Sequence, residues 1–185
     1  DYWGGTFEKR MNFAIEVTKE VLKVARAENP NAIVGYRVSP EEIHGEMVGY
    51  DLDDSLKLID KLLEQDIDFL DLSSAAGGNF GKDAYKAMTQ KGDYTEPVSL
   101  VIKNFVASRV PVVISGTIRS ADEALDALNY GDIASMGVAA LSDPDFKEKI
   151  LAEKEDTIHM NVKGHTEDLE LPSGLIEVYT AGIGL

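Results

Sequence analysis

The 185-residue chain carries 18 Lys and Arg against 33 Asp and Glu, a net charge of −15 and an isoelectric point near 4.5. That excludes a nucleic-acid binder working through a basic face, because phosphate neutralisation needs clustered cations, and it argues against an anionic membrane surface as partner. Cysteine is absent, which excludes disulfides, thiolate metal sites and a cysteine nucleophile and fits a reducing, cytoplasmic setting.

With 44% hydrophobic and 28% charged residues the chain has the composition of a packed globular domain. No apolar run approaches the roughly 20 residues that span a bilayer. The opening segment lacks the charged-then-apolar layout of a signal peptide. Residue 1 is Asp and a dense motif begins at once, which points to a start inside a longer parent chain.

Helix and strand signals alternate along the sequence. From Thr6 to about Ala27 apolar residues recur at helical spacing until Asn29 and Pro30 stop them. Ala32 to Val38 reads as a strand, followed by a loop through Tyr50. Asp51 with Asp54 resembles a capping box opening a helix to Gln65, and Ile67 to Ser73 reads as a second strand. A Gly-rich loop and a polar stretch lead to Pro97, then a helix over Val98 to Ser108.

Pro111 to Ser115 is the clearest strand, a continuous apolar run. Ser120 and Glu123 form a capping box for a helix to Tyr130, with Gly131 as its terminating glycine. Asp132 to Gly137 reads as a fourth strand. Asp143 followed by Pro144 predicts a helix start, continuing to about Glu153. Residues 154–185 read as an irregular tail lying on the body, which itself spans residues 1–153. The order, a helix followed by four strand-helix units, means parallel strands with right-handed crossovers. An open doubly wound sheet and part of a (β/α)8 barrel both fit; with four strands the chain is at most half of a barrel.

In either architecture function sits where strands end at their carboxyl side. Two successive strands end in glycine, Gly116 and Gly137, each followed by a helix. Such glycines let backbone N–H groups approach a phosphate, or merely make tight turns. Period-two alternation puts Ile33, Gly35 and Arg37 on one strand face and Val34, Tyr36 and Val38 on the other. Arg37 then points to the interior or the mouth, where its charge needs either a bound anion or an ion pair with Asp71. Gly77, Gly78 and Gly81 read as a loop, Arg119 as a surface residue, and His44, His159 and His165 as solvated loop or tail residues rather than metal ligands. No metal site is expected.

The segment Asp1-Tyr-Trp-Gly-Gly-Thr-Phe-Glu-Lys-Arg-Met-Asn-Phe13 resembles the D-x-Y-G-G-S-x-E-N-R-x-R-F stretch of the Old Yellow Enzyme family of NADH:flavin oxidoreductases. Gly35 to Pro40 is similar to that family's fifth-strand R-x-S-P motif and Asp71 to Ser74 to its sixth strand. Gly116 to Ser120 is similar to its seventh-strand G-G-I-R-S turn, and Met136 to Asp145 to its eighth-strand G-R-A-L-L-x-D-P-D. The resemblance runs in order from residue 1 to about 155.

It implies the second half of an FMN-bearing (β/α)8 TIM barrel, parallel strands 5 to 8, that serves as an NADH oxidoreductase of ene-reductase type. FMN is then the cofactor and NADH or NADPH the reductant. Arg37 corresponds to the arginine beside flavin N1 and the C2 carbonyl, and Gly116, Thr117 and Gly137 offer backbone donors to the FMN phosphate. Two positions depart from the pattern. Thr117 replaces the second glycine of the seventh-strand turn, and Val138 replaces the arginine after the eighth-strand glycine. The substrate-anchoring and proton-donating residues of the family have no counterpart here, so no catalytic residue is assigned. The partners implied are a small-molecule substrate and either further copies of the chain or the missing N-terminal half. The rival readings are a phosphate-binding barrel isomerase or lyase fragment and a non-catalytic half-barrel assembly module.

Overall fold

The computed structural model describes residues 1–73 and 83–180. Helix α1 (Phe7–Glu28) starts the chain, and its polypeptide then enters β1 (Gly35–Val38). An antiparallel hairpin follows, β2 (Glu42–His44) and β3 (Met47–Tyr50), where the sequence predicts a loop that includes His44. The segment lacks a clean apolar alternation. It is held by tertiary contacts instead: Arg10 Nη1 donates to the Gly49 carbonyl at 3.0 Å, and the Tyr50 hydroxyl donates to the Ser39 carbonyl at 3.0 Å.

Helix α2 (Leu52–Leu63) opens where its capping residue predicts, with Asp51 Oδ1 accepting from the Asp54 amide at 3.2 Å. Its stripe Leu52, Ile59 and Leu62 is fully buried. Strand β4 (Phe69–Leu72) and a 3-10 turn at Ala84–Lys86 lead to α3 (Val98–Val106) and β5 (Val112–Ser115). Ser74, Gly77, Gly78 and Gly81 lie outside the described residues.

The Ser120 hydroxyl accepts from the Glu123 amide at 3.1 Å and starts α4 (Ala121–Ala127). The reciprocal bond lands one residue early, from the Arg119 amide to Glu123 Oε2 at 2.7 Å. Gly131 is not a left-handed terminator of α4, which ends four residues before it. A side chain at 131 is excluded because its Cβ would lie 2.6 Å from Ile114 Cγ2. After β6 (Ile133–Ser135) comes a short helix absent from the sequence reading, α5 (Val138–Ser142). Asp143 closes α5 rather than capping the next helix, and α6 (Phe146–Leu151) begins from Asp145.

The tail is more structured than predicted. It contains a 3-10 turn at Glu155–Thr157, a buried Val162 and helix α7 (Ser173–Thr180). Asp143, 2% exposed, holds it by accepting from Lys149 Nζ at 2.5 Å and from the His159 amide at 2.9 Å.

Strands β1, β4, β5 and β6 form a parallel sheet in that order, with Arg37 opposite Asp71, Asp71 opposite Val113 and Val113 opposite Ile133. The buried strand residues Val38, Leu70, Leu72, Val112 and Ile114 share one face, and one core joins them to Leu22, Leu52, Ile59, Leu62, Ile102, Val106 and Ala127 of the helices. Each such aliphatic side chain contributes about 1.5–3 kcal/mol by leaving water. The core helices α1 to α4 thus lie on a single face. The other face, with Gly35, Arg37, Asp71, Val113 and Ile133, carries no helix from this core. A doubly wound sheet would reverse its strand order and carry helices on both faces; this sheet does neither.

Candidate functional site

The candidate residues stand at the carboxyl ends of three strands. By a strand spacing of about 4.8 Å, β1 lies about 10 Å from β5 and about 14 Å from β6 across the sheet. Arg37 is therefore at one end of a shelf and Gly137 at the other, with the Gly116 turn between them.

Arg37 makes the ion pair that the sequence raised as one alternative. Its Nη1 donates to Asp71 Oδ2 at 3.0 Å and its Nη2 to the Ser73 hydroxyl at 3.3 Å. The guanidinium side chain is nevertheless 62% exposed on the open face. A guanidinium has five N–H donors, so those two bonds leave others directed away from Asp71. Asp71 is 19% exposed, and its Oδ1 is buried without a partner among the described residues. The pair fixes where the cation stands and leaves it able to face an anion.

The Gly116 turn is constrained by the fold itself. Gly116 has φ +138°, and a Cβ there would lie 2.7 Å from the Tyr85 backbone nitrogen. The close approach of residues 84–85 is enough to require this glycine, as the tight-turn alternative holds. Tyr85 is buried, and its hydroxyl donates to Asp126 Oδ2 at 2.8 Å, with Lys86 Nζ on the same oxygen at 2.6 Å. This cluster pins the 84–86 turn against the Gly116 loop. Thr117 is left-handed at φ +58°, strained for a β-branched residue. A glycine there, as in the family pattern, would adopt it freely.

Gly137 differs. It stands at the start of α5 with φ −105°, and a Cβ there would meet nothing within 4 Å. Open space lies beside its backbone, and Val138 follows half-buried as the first residue of α5. Arg119 lies half-buried in the loop between Gly116 and α4.

Sequence reasoning missed Glu41, which is 2% exposed just after β1. It accepts from the Thr89 hydroxyl and, at 3.0 Å, from the Gln90 amide, tying the segment after β4 to the end of β1. The signal was the first of two successive acids, Glu41 and Glu42, after Ser39 and Pro40, indistinguishable locally from a solvated pair. His159 and His165 stack with ring centroids 3.6 Å apart. Among the described residues no group of three or more His, Asp or Glu is arranged to hold a metal, and no helix is long and apolar enough to cross a membrane.

The chain is 32% identical over 178 residues to a probable NADH-dependent flavin oxidoreductase, YqiG, of Bacillus subtilis strain 168, covering 95% of this chain and 45% of that protein. It is 30% identical over 180 residues to the NADH:acrylate oxidoreductase of Vibrio harveyi, covering 96% of this chain and 17% of that one. The chain thus spans less than half the length of these relatives. Histamine dehydrogenase from Rhizobium sp. 4-9 superimposes with a TM-score of 0.61 at 24% identity, over 85% of this chain and 22% of that one. A 2-naphthoyl-CoA reductase does so with a TM-score of 0.65 at 19% identity, over 86% and 23%. These two show a shared fold. The matches favour a flavin protein over an isomerase or lyase of phosphorylated metabolites. Since the family model of the NADH:flavin oxidoreductases and NADH oxidases matches residues 1–157, the chain belongs to that family.

Proposed function

We propose that this chain supplies part of the (β/α)8 barrel of an FMN-dependent NADH oxidoreductase, namely its second half, and that residues 1–153 are the barrel portion and 154–185 a tail across it. Unbroken strand order, helices from one core on one face and, among the described residues, no helix of that core on the opposite face support the partial barrel.

The residues fit the cofactor. Arg37 offers free donors at one end of the shelf, and Gly137 offers a backbone with open space beside it at the other. FMN supplies hydride transfer at its N5. Arg37 would bring a fixed positive charge to the flavin, where negative charge would accumulate on reduction, and a preorganised cation would need no reorganisation for that role. Asp71 and Ser73 hold that guanidinium in place. Gly116, Thr117, Gly137 and Val138 would hold the phosphate end through backbone groups, with no cation of their own. NADH or NADPH is the reductant and a small molecule the acceptor.

The observation that carries this reading is Arg37, paired with Asp71 yet largely exposed at the carboxyl edge of the face opposite the core helices. The test is to join the chain to the portion of the Bacillus subtilis relative that it does not span. The product should retain blue-absorbing flavin after gel filtration and bleach on adding NADH. A folded product without flavin absorbance would overturn the assignment.

A further inference from the structure

We propose that Glu41 is a positioning residue for the cofactor: through the segment that follows β4 it fixes the Gly116 turn relative to the end of β1, and so sets the grip on the phosphate half of FMN. The inference rests on the flavin reading and gives a role to a buried carboxylate that this reading does not use.

Glu41 is buried, and its partners among the described residues are neutral. Oε1 accepts from the Thr89 hydroxyl and Oε2 from the Gln90 amide, the latter at 3.0 Å. Burying a carboxylate is costly, and an apolar side chain of similar volume would fill the space without that cost. What the carboxylate adds is geometry. Its two oxygens each hold a successive residue of one segment, which fixes the orientation of that segment as well as its distance.

The segment forms a strap along the carboxyl edge of the sheet. At its start Ala84 and Tyr85 close on Gly116. The Ser99 hydroxyl of α3 donates to the Tyr85 carbonyl at 2.6 Å, and the Val98 amide to the Ala87 carbonyl at 3.0 Å. At its far end Lys91 Nζ lies 3.5 Å from Asp51 Oδ2, and the Tyr94 hydroxyl donates to Asp53 Oδ1. Both of those ties are open to solvent, which leaves Glu41 as the buried anchor on the β1 side.

Four peptide units separate Tyr85 from Thr89 and extend to about 14 Å at most. Strands β1 and β5 lie about 10 Å apart across the sheet. The strap therefore has little slack, and releasing Thr89 and Gln90 lets the 84–85 turn shift against Gly116. Arg37 is not released with it, because Asp71 and Ser73 hold its guanidinium. Loss of Glu41 thus has a selective signature: the phosphate end loosens while the flavin-ring end keeps its cation.

Glu41→Ala and Glu41→Gln test the assignment, with Thr89→Val as a variant that leaves the carboxylate in place. In this chain itself, hydrogen exchange at the Gln90 amide and over residues 84–87 and 116–118 should quicken at least about fivefold in Glu41→Ala, with residues 35–38 unchanged. In the chain joined to the portion of the Bacillus subtilis relative that it does not span, Glu41→Ala should weaken FMN about five- to tenfold, as for one or two lost hydrogen bonds. Riboflavin, which lacks the phosphate, should weaken less than about twofold, and NADH should reduce the bound flavin at an unchanged rate. Glu41→Gln keeps one acceptor oxygen and should fall between. Thr89→Val should reproduce part of the loss and add little to Glu41→Ala.

Equal losses for the two flavins would make Glu41 a merely structural residue and overturn the proposal, as would unchanged exchange over residues 116–118. If Glu41→Ala does not fold, Glu41→Gln and Thr89→Val decide it by the same two readouts. A folded joined product that binds neither flavin would sink the flavin reading alone, and exchange then decides whether Glu41 holds the turn. Flavin bound with an affinity insensitive to Glu41→Ala would sink this inference alone.

Discussion

Arg37 and Asp71 sit opposite each other in register on β1 and β4, joined by Nη1 to Oδ2 at 3.0 Å, while Asp71 Oδ1 is buried without a partner among the described residues. With the guanidinium 62% exposed, the pair contributes about 0–1 kcal/mol to stability. Its use is positional. Arg37→Ala in the completed barrel should therefore leave the fold nearly as stable and slow flavin reduction by NADH about a hundredfold, on the order of 3 kcal/mol for one lost preorganised donor. FMN affinity should fall much less. Stopped-flow rates within a few-fold of the parent would defeat the role given to Arg37.

Thr117 carries strain that the family's usual glycine would not. At φ +58° its β-branched side chain crowds the backbone, a conformation that costs L-residues roughly 1–2 kcal/mol. Glycine gives part of this back through its greater freedom when unfolded, so Thr117→Gly should stabilise by about 0.5–1 kcal/mol. Urea unfolding should show a higher midpoint with an unchanged slope. Gly116→Ala should do the opposite, because its Cβ meets the Tyr85 backbone at 2.7 Å; a neutral result there would mean that residues 84–85 do not close on the turn.

What the sequence revealed and what it hid divides by the range of the interaction. The caps at Asp51 and Ser120 were legible because each donor lies three residues from its acceptor. That the strands run parallel was legible from alternating periods and the crossover rule, whereas their order was left open between a doubly wound sheet and a barrel. The β2–β3 hairpin was not, because Arg10 and Tyr50 anchor it from elsewhere in the chain. Asp143 beside Pro144 carried a helix-start signal, yet its carboxylate is spent on Lys149 and His159, and no local pattern encodes a contact 16 residues away. Gly116 looked like a phosphate glycine; the approach of Tyr85 that also demands it crosses from another strand-helix unit.

Asp143 makes tail docking sensitive to acid. Burial alone would raise its pKa, but the Lys149 ammonium and the His159 amide outweigh burial and hold it below the ordinary 3.8. A carboxylate lowered by folding contributes stability that is present above its unfolded pKa and is lost as pH falls through the folded one. Hydrogen exchange over residues 154–165 should thus be slow at neutral pH and accelerate below about pH 4, given an unfolded value near 3.9. Asp143→Ala should mimic acid at neutral pH and cost about 3 kcal/mol, since Lys149 is left half-buried and unpaired. Exchange that stays slow in the variant would mean that Val162 and α7, not Asp143, hold the tail.

Val138 tests the phosphate end of the shelf. It begins α5 immediately after Gly137, where a side chain on the glycine would meet nothing within 4 Å. If backbone groups alone grip the phosphate there, affinity for FMN should be modest, and a cation at 138 should find an unpaired anion. Val138→Arg in the completed barrel should tighten FMN roughly ten- to a hundredfold, the equivalent of about 1.5–3 kcal/mol for a charge-assisted hydrogen bond. Riboflavin, which lacks the phosphate, should gain far less. Fluorescence titrations showing equal gains for the two flavins, or a loss for FMN, would place the phosphate elsewhere and leave Gly137 a turn residue.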